Sequence, residues 1–113
     1  SSPARFARLK ELLEPGGPDS LYGQLTPELA VQKVLRDTTN PITGVTHPAD
    51  LFDGGGSIAT NAAVYMMVFA PQERMFWVSM GAKPVPTQAF VGFHLDELFG
   101  IDPEARAEPA VID

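Results

Sequence analysis

Apolar positions in the first third of the chain recur at helical intervals. Phe6, Leu9, Leu12 and Leu13 fall on one stripe of a helix that Ser2 caps and Pro3 opens, while Arg5, Arg8, Lys10 and Glu11 fall largely away from it. Pro15-Gly16-Gly17-Pro18 ends this helix, and a loop runs on to about Leu25. A second helix starts at Thr26-Pro27-Glu28: a capping residue, a proline in the first turn, and an acid beside the positive end of the helix dipole. Val31, Val34 and Leu35 supply its apolar stripe, and Arg36 suits its C-terminal end. From Asp37 to Ser57 the chain is rich in Thr, Pro, Asn and Gly, which predicts a long ordered loop of a kind that often carries function.

The periodicity then changes. Ile58 to Phe69 is almost continuously apolar, Met75 to Met80 forms a second such run, and Pro71-Gln72-Glu73-Arg74 between them predicts the turn of a β-hairpin. Val64, Tyr65, Val68 and Phe69 favour strand over helix in the first run. Gly81 to Pro86 makes a stiff connection to a third strand, Gln88 to Leu95; Asp96 to Gly100 adds a helical turn, and residues 102–113 read as a weakly ordered tail. Apolar residues on both faces predict strands covered on both sides. The order of elements gives a single α+β domain over residues 1–113, with two N-terminal helices packed on three mainly antiparallel strands. Two short helices cover a two-sided sheet poorly, which already points to a piece of something larger.

Composition narrows the function. Of 113 residues, 44% are hydrophobic and 19% charged, a globular balance, and the net charge of −6 with no basic run argues against a nucleic-acid partner. The longest apolar run, Ala62 to Ala70, is far too short to cross a bilayer, so no membrane partner is expected. A soluble protein is expected, its compartment unassigned with the cytoplasm slightly favoured. The chain has no cysteine, which removes disulfides, thiolate metal sites and a cysteine nucleophile from these residues.

Few constellations carry chemistry. His47 and His94 are the only histidines, and without HxH, HExxH or an acidic triad they read as a loop residue and a hydrogen-bonded strand residue; no metal or cofactor is predicted. Gly54-Gly55-Gly56-Ser57 lacks the Gly-Lys-Ser/Thr of a phosphate loop and leads into a strand, so a flexible entry to the hairpin explains it better. Asp50 and Asp53 can share acid–base work only where their environments separate their pKa values; solvated loop acids are the simpler reading. Ser1 could act as an N-terminal nucleophile, but nothing following it supports that. Trp77, Phe76, Phe69, Tyr65, Met66, Met67, Met75 and Met80 can line an acyl pocket, and a sheet core explains the same residues without a ligand.

One segment resembles a known family. Ser1-Ser2-Pro3-Ala4-Arg5-Phe6-Ala7-Arg8 is similar to the stretch of choloylglycine hydrolases and their relatives that delivers an active-site arginine from the start of a helix. The later part resembles the acyl-coenzyme A:6-aminopenicillanic-acid acyltransferase branch, through Leu25 to Ala30, Val34 to Asp37, Ser57 to Val64 and Met75 to Gly81. The resemblance spans roughly Ser1 to Leu95 and implies a four-layer αββα N-terminal-nucleophile (Ntn) hydrolase sandwich, of which this chain is the C-terminal part. It implies a nucleophilic cysteine exposed by processing in the remainder of the same enzyme, a small amide substrate, and hydrolysis or acyl transfer at that amide. By this match Arg5 is the catalytic candidate, favouring thiolate and stabilising charge on the substrate carbonyl. Thr60 and Asn61, entering the first strand, are the candidates for lining the substrate cleft. The chain alone is then expected to be inactive and to self-associate. The rival expectation is a non-catalytic α+β interaction domain that dimerises through its sheet.

Overall fold

A computed structural model describes residues 2–47 and 56–113. Helix α1 spans Ser2–Leu13 and buries only part of the stripe its apolar spacing predicts: Leu12 and, partly, Leu9 pack inward, while Phe6 and Leu13 do not. Ala4, Arg8 and Leu12, each four residues apart, are buried, whereas Phe6 is 65% exposed and Leu13 is also exposed. The shift has a polar cause, the capture of Arg8 by a distant carboxylate. Phe6 is left under the Lys10 ammonium, 5.6 Å from the ring centroid.

The second helix starts where Thr26 predicts. Its Oγ1 accepts the Leu29 N–H at 3.2 Å, and helix α2 (Pro27–Leu29) continues as a π-helix over Ala30–Leu35. The wider turn ends with the Arg36 N–H on the Val31 carbonyl at 3.0 Å. Within the predicted long loop, strands β1 (Thr39–Asn40) and β2 (Val45–Thr46) pair as a small antiparallel hairpin.

The main sheet is antiparallel with order β3-β4-β5-β6: β3 Tyr65–Ala70, β4 Met75–Met80, β5 Phe90–His94 and β6 Val111–Ile112. A 3₁₀ turn at Val85–Thr87 and the short helix α3 (Leu95–Leu98) flank β5. The class is therefore α+β, and the main sheet differs from the patterning in where it begins and in its number of strands. The first strand begins only at Tyr65, because Ile58 packs against Leu12 and Val34 among the helices. The chain then turns at Thr60, whose Oγ1 accepts the Ala62 N–H at 3.2 Å. An apolar run thus serves two layers in succession.

The second difference is the segment expected to be a weakly ordered tail, which instead supplies the fourth strand. Ala107 and Ile112 are buried, and the Trp77 Nε1–H donates to the Pro109 carbonyl at 2.7 Å. Gly92 makes room for this: a Cβ there would meet Ala107 Cβ and Trp77 Nε1 at 2.6 Å each. Arg36 fixes the chain end from the helix side, donating to the carbonyls of Pro86 at 2.7 Å, Gln88 at 3.0 Å and Asp113 at 2.5 Å.

The core lies on one side of the sheet only. Val31, Trp77, Phe90, Ala107 and Ile112 form it, with Met66, Val68 and Met75 packed against them. By register, the opposite face carries Tyr65, Met67 and Phe69 of β3, Phe76, Val78 and Met80 of β4, Val91 and Phe93 of β5, and Val111 of β6. Every one is apolar and none is buried. The strands are thus covered on one side, not on both as their sequence predicts. The dimensions agree: extents of 48 × 34 × 20 Å describe a two-layer slab. The radius of gyration is 15.1 Å, against about 13 Å for a compact domain of this length. The accessible surface is 6741 Å², against about 6,100 Å² for this mass. No helix among the described residues is long and apolar enough to cross a membrane.

Candidate functional site

In the helical layer Arg8 is bonded to three carboxylates. Its Nε and Nη2 donate to Asp37 Oδ2 at 2.9 Å and Oδ1 at 3.0 Å, while Nη1 donates to Glu11 Oε2 and Asp19 Oδ2, both at 2.9 Å. The Arg8 and Asp37 side chains are each only 10% exposed. The hydrogen bonds to Asp37 push the guanidinium pKa above its ordinary range; burial opposes the shift, and Glu11 and Asp19 add to it. Arg8 therefore belongs to the interior, where its sequence position suggested a solvated group. Only a planar fork meeting a carboxylate edge to edge makes such burial tolerable.

This clamp positions the candidate residues. The Asp37 carbonyl accepts the Ala59 N–H at 2.9 Å, so a bonded path runs from α1 through Asp37 to the segment before Thr60. Leu12, Val34 and Ile58 close an apolar cluster over the same junction, with Leu9 and Leu21 against it. Arg5 lies on α1 one turn before Arg8 and is half-buried. Thr60 is half-buried and Asn61 exposed, in the turn that precedes β3. The two elements carrying these three residues are thereby held in one neighbourhood. Ser1, Asp50, Asp53, Gly54 and Gly55 lie outside the described residues.

The other candidates take structural places. Gly56 and Ser57 are buried, and Ser57 Oγ donates to the Ala59 carbonyl at 2.6 Å. The His47 N–H donates to the Thr38 carbonyl at 3.3 Å, and Thr38 Oγ1 donates to the His47 carbonyl at 2.7 Å. His94 Nδ1 accepts the Asp96 N–H at 3.1 Å and so caps α3. Asp96 receives the Arg74 fork at 2.9 and 2.7 Å, which holds its carboxyl below the usual carboxylate range against the opposing effect of burial. Burial lowers the Arg36 pKa, and the charge of Asp113 partly restores it. Trp77, Met66 and Met75 belong to the core, whereas Tyr65, Met67, Phe69, Phe76 and Met80 stand on the open face. Among the described residues, no three His, Asp or Glu side chains converge in a group that could hold a metal ion.

Compared with family models, curated proteins and solved structures, the chain matches none. Its own geometry therefore has to carry the functional reading. A cleft of about 270 Å³ opens beside the clamp, lined by Arg8, Leu12, Asp19, Leu21, Lys33 and Asp37. Another of about 230 Å³ lies between the start of α2 and the β3 edge, lined in part by Thr26, Pro27, Phe69 and Glu73. Neither is lined by Arg5, Thr60 or Asn61. The Arg8–Asp37 pair and the Asp37–Ala59 hydrogen bond hold α1, which carries Arg5, to the segment that leads to Thr60. Arg8 and Asp37 form the nearly buried ion pair that pattern reading passed over. The available signal was the second arginine of Arg5-Phe6-Ala7-Arg8 and the acid that closes Val34-Leu35-Arg36-Asp37.

Proposed function

We propose that this chain is the C-terminal portion of a cysteine Ntn enzyme that hydrolyses or transfers acyl groups at small, peptide-like amides. The complete protein would be an αββα sandwich whose remainder carries the nucleophilic cysteine. In this reading Arg5 favours the thiolate and stabilises the developing oxyanion, while Thr60 and Asn61 contribute to the substrate cleft. No cofactor is required, since the thiol and its own α-amine supply nucleophile and base.

The supporting observation is the mounting of α1. The Arg8–Asp37 clamp fixes the helix one turn beyond Arg5, and the Asp37–Ala59 hydrogen bond fixes the Thr60–Asn61 turn to the same point. A charge that must meet a developing oxyanion benefits from such a mount, because preorganised donors need no rearrangement during reaction.

The test uses the full-length enzyme. Arg5→Lys and Arg5→Ala are each expected to lower turnover by about 100-fold or more, the scale of losing one oxyanion donor, with lysine failing because an ammonium lacks the guanidinium fork. Lys10→Ala, on the exposed side of the same helix, is the control and should leave turnover near normal. Correctly folded Arg5 variants with near-normal turnover would refute the catalytic role. The open apolar face favours a second reading, a non-catalytic interaction domain. The parent reading frame separates the two: an upstream half beginning Gly-Cys or Met-Cys supports the enzyme, and an encoded start near Ser1 supports the interaction domain.

A further inference from the structure

The sheet face turned away from the core has a relief as well as an apolar character. Phe69, Phe76 and Phe93 stack in a row across β3, β4 and β5, with ring centroids 5.8 and 5.3 Å apart. That row forms a ridge at the hairpin-turn end of the sheet. Next to it lies a trough of about 310 Å³, lined by Val78, Met80, Ala89, Val91 and Phe93. No charged side chain lines the trough or the ridge.

We propose that this face docks a second copy of the same chain in a two-fold, sheet-on-sheet dimer. A two-fold axis parallel to the ridge, lying between ridge and trough, sets the ridge of each copy over the trough of the other. This is the reciprocal contact that an isologous interface requires. The same operation reverses the strands and brings the β3–β4 turn of one copy over the β4–β5 connection of the other. The area suffices. Tyr65 and Phe69 are 61% exposed and Met80 68%, with Val91, Phe93 and Val111 exposed as well. Together they present roughly 600 Å² of apolar surface, so that two copies bury about 1,200 Å², the lower bound of stable interfaces. The roughly 600 Å² per copy is close to the excess of the molecular surface, 6741 Å², over the mass scaling of about 6,100 Å². In the enzyme proposed above, the remainder of the protein would compete for this face. Self-pairing is a property of the 113-residue chain and does not depend on the catalytic reading.

Sedimentation of the chain tests the proposal, with Trp77 emission as a check on folding. Trp77 is buried on the opposite side of the sheet, so its signal reports the core independently of docking. The wild-type chain is expected to sediment as a dimer at about 100 µM. Phe69→Lys and Val91→Lys should each weaken association at least ~10-fold with unchanged Trp77 emission, because a charge is buried against an apolar partner. Phe99→Lys, a charge on an exposed residue outside the sheet, should leave the dimer intact. Raising salt from about 0.05 to about 0.5 M should preserve or tighten the dimer, since it screens repulsion between chains of net charge −6 and removes little attraction. A folded wild-type monomer at that concentration would overturn the proposal. So would aggregates without a defined dimer, or a dimer indifferent to both face substitutions. None of these outcomes bears on the Arg5 variants, so the two readings fail separately.

Discussion

Arg5 and Arg8 sit one helical turn apart on α1, and their surroundings give them different work. Arg8 is sealed in by Asp37, with Glu11 and Asp19 completing its donors; Arg5 stays half-buried and is the proposed catalytic cation. Removing Arg8 would leave the nearly buried Asp37 carboxylate without its bidentate partner. Arg8→Ala is expected to cost about 3 kcal/mol, typical of breaking one side of a buried ion pair. Glu11→Ala should cost under about 0.5 kcal/mol, because that carboxylate is half-exposed and its pairing is screened. Urea denaturation at one fixed protein concentration checks both, and equal costs would mean the clamp is not the buried pair described. The sequence hid this because Asp37 lies 29 residues from Arg8. Helical spacing ranks residues by hydrophobicity along one element and has no access to a partner on another.

At the scale of elements, the β3–β4 turn and helix α3 are latched together. Arg74, at φ 56, donates its fork to Asp96, its carbonyl accepts the Leu95 N–H at 2.9 Å, and His94 caps the helix start. Because the Arg74 fork lowers the Asp96 pKa in the folded state, the ion pair's contribution is fully present above the unfolded carboxyl value and is lost as pH falls through the folded one. Asp96→Asn should therefore be less stable than wild type at pH 7, with the gap closing progressively below about pH 4. Melting temperatures of the two proteins from about pH 2 to about pH 7 would show it. A gap that persists undiminished at the acid end would mean that the carboxylate charge is not what the latch uses. The hairpin and the helical turn after β5 were legible in the sequence, since each announces itself within a few residues. The bond between them was not.

For the whole molecule, what matters is the count of layers. The second helix and the segment through Ala107 and Pro109 cover one side of the sheet, and the slab measures 20 Å in its thinnest direction. The proposed second copy would add a third layer over the ridge and trough. The enzyme reading also carries a negative expectation. With no cysteine in the sequence, the purified chain should turn over no amide substrate. Hydrolysis by the purified chain that is lost on replacing Arg5 or Ser1 would place the nucleophile here and overturn the assignment of a missing half. Assays on small acyl-amino compounds, with the dimer and the face variants side by side, make the measurement independent of assembly.

Local chemistry was written in the sequence. Pro3 and Thr26 marked two helix starts, Pro71 to Arg74 marked the hairpin turn, and the strand residues after Val64 marked an antiparallel sheet in an α+β domain. These signals work because caps, turns and pleats are decided by neighbours a few bonds away. Tertiary structure alone decided that Arg8 turns inward, that Ile58 joins the helices and not the sheet, and that residues near Ile112 become its edge strand. It also decided which side of a uniformly apolar sheet is covered. Alternation assigns residues to two faces, but when both faces are apolar only the placement of Trp77 and Gly92 beneath the chain end distinguishes the filled one from the open one.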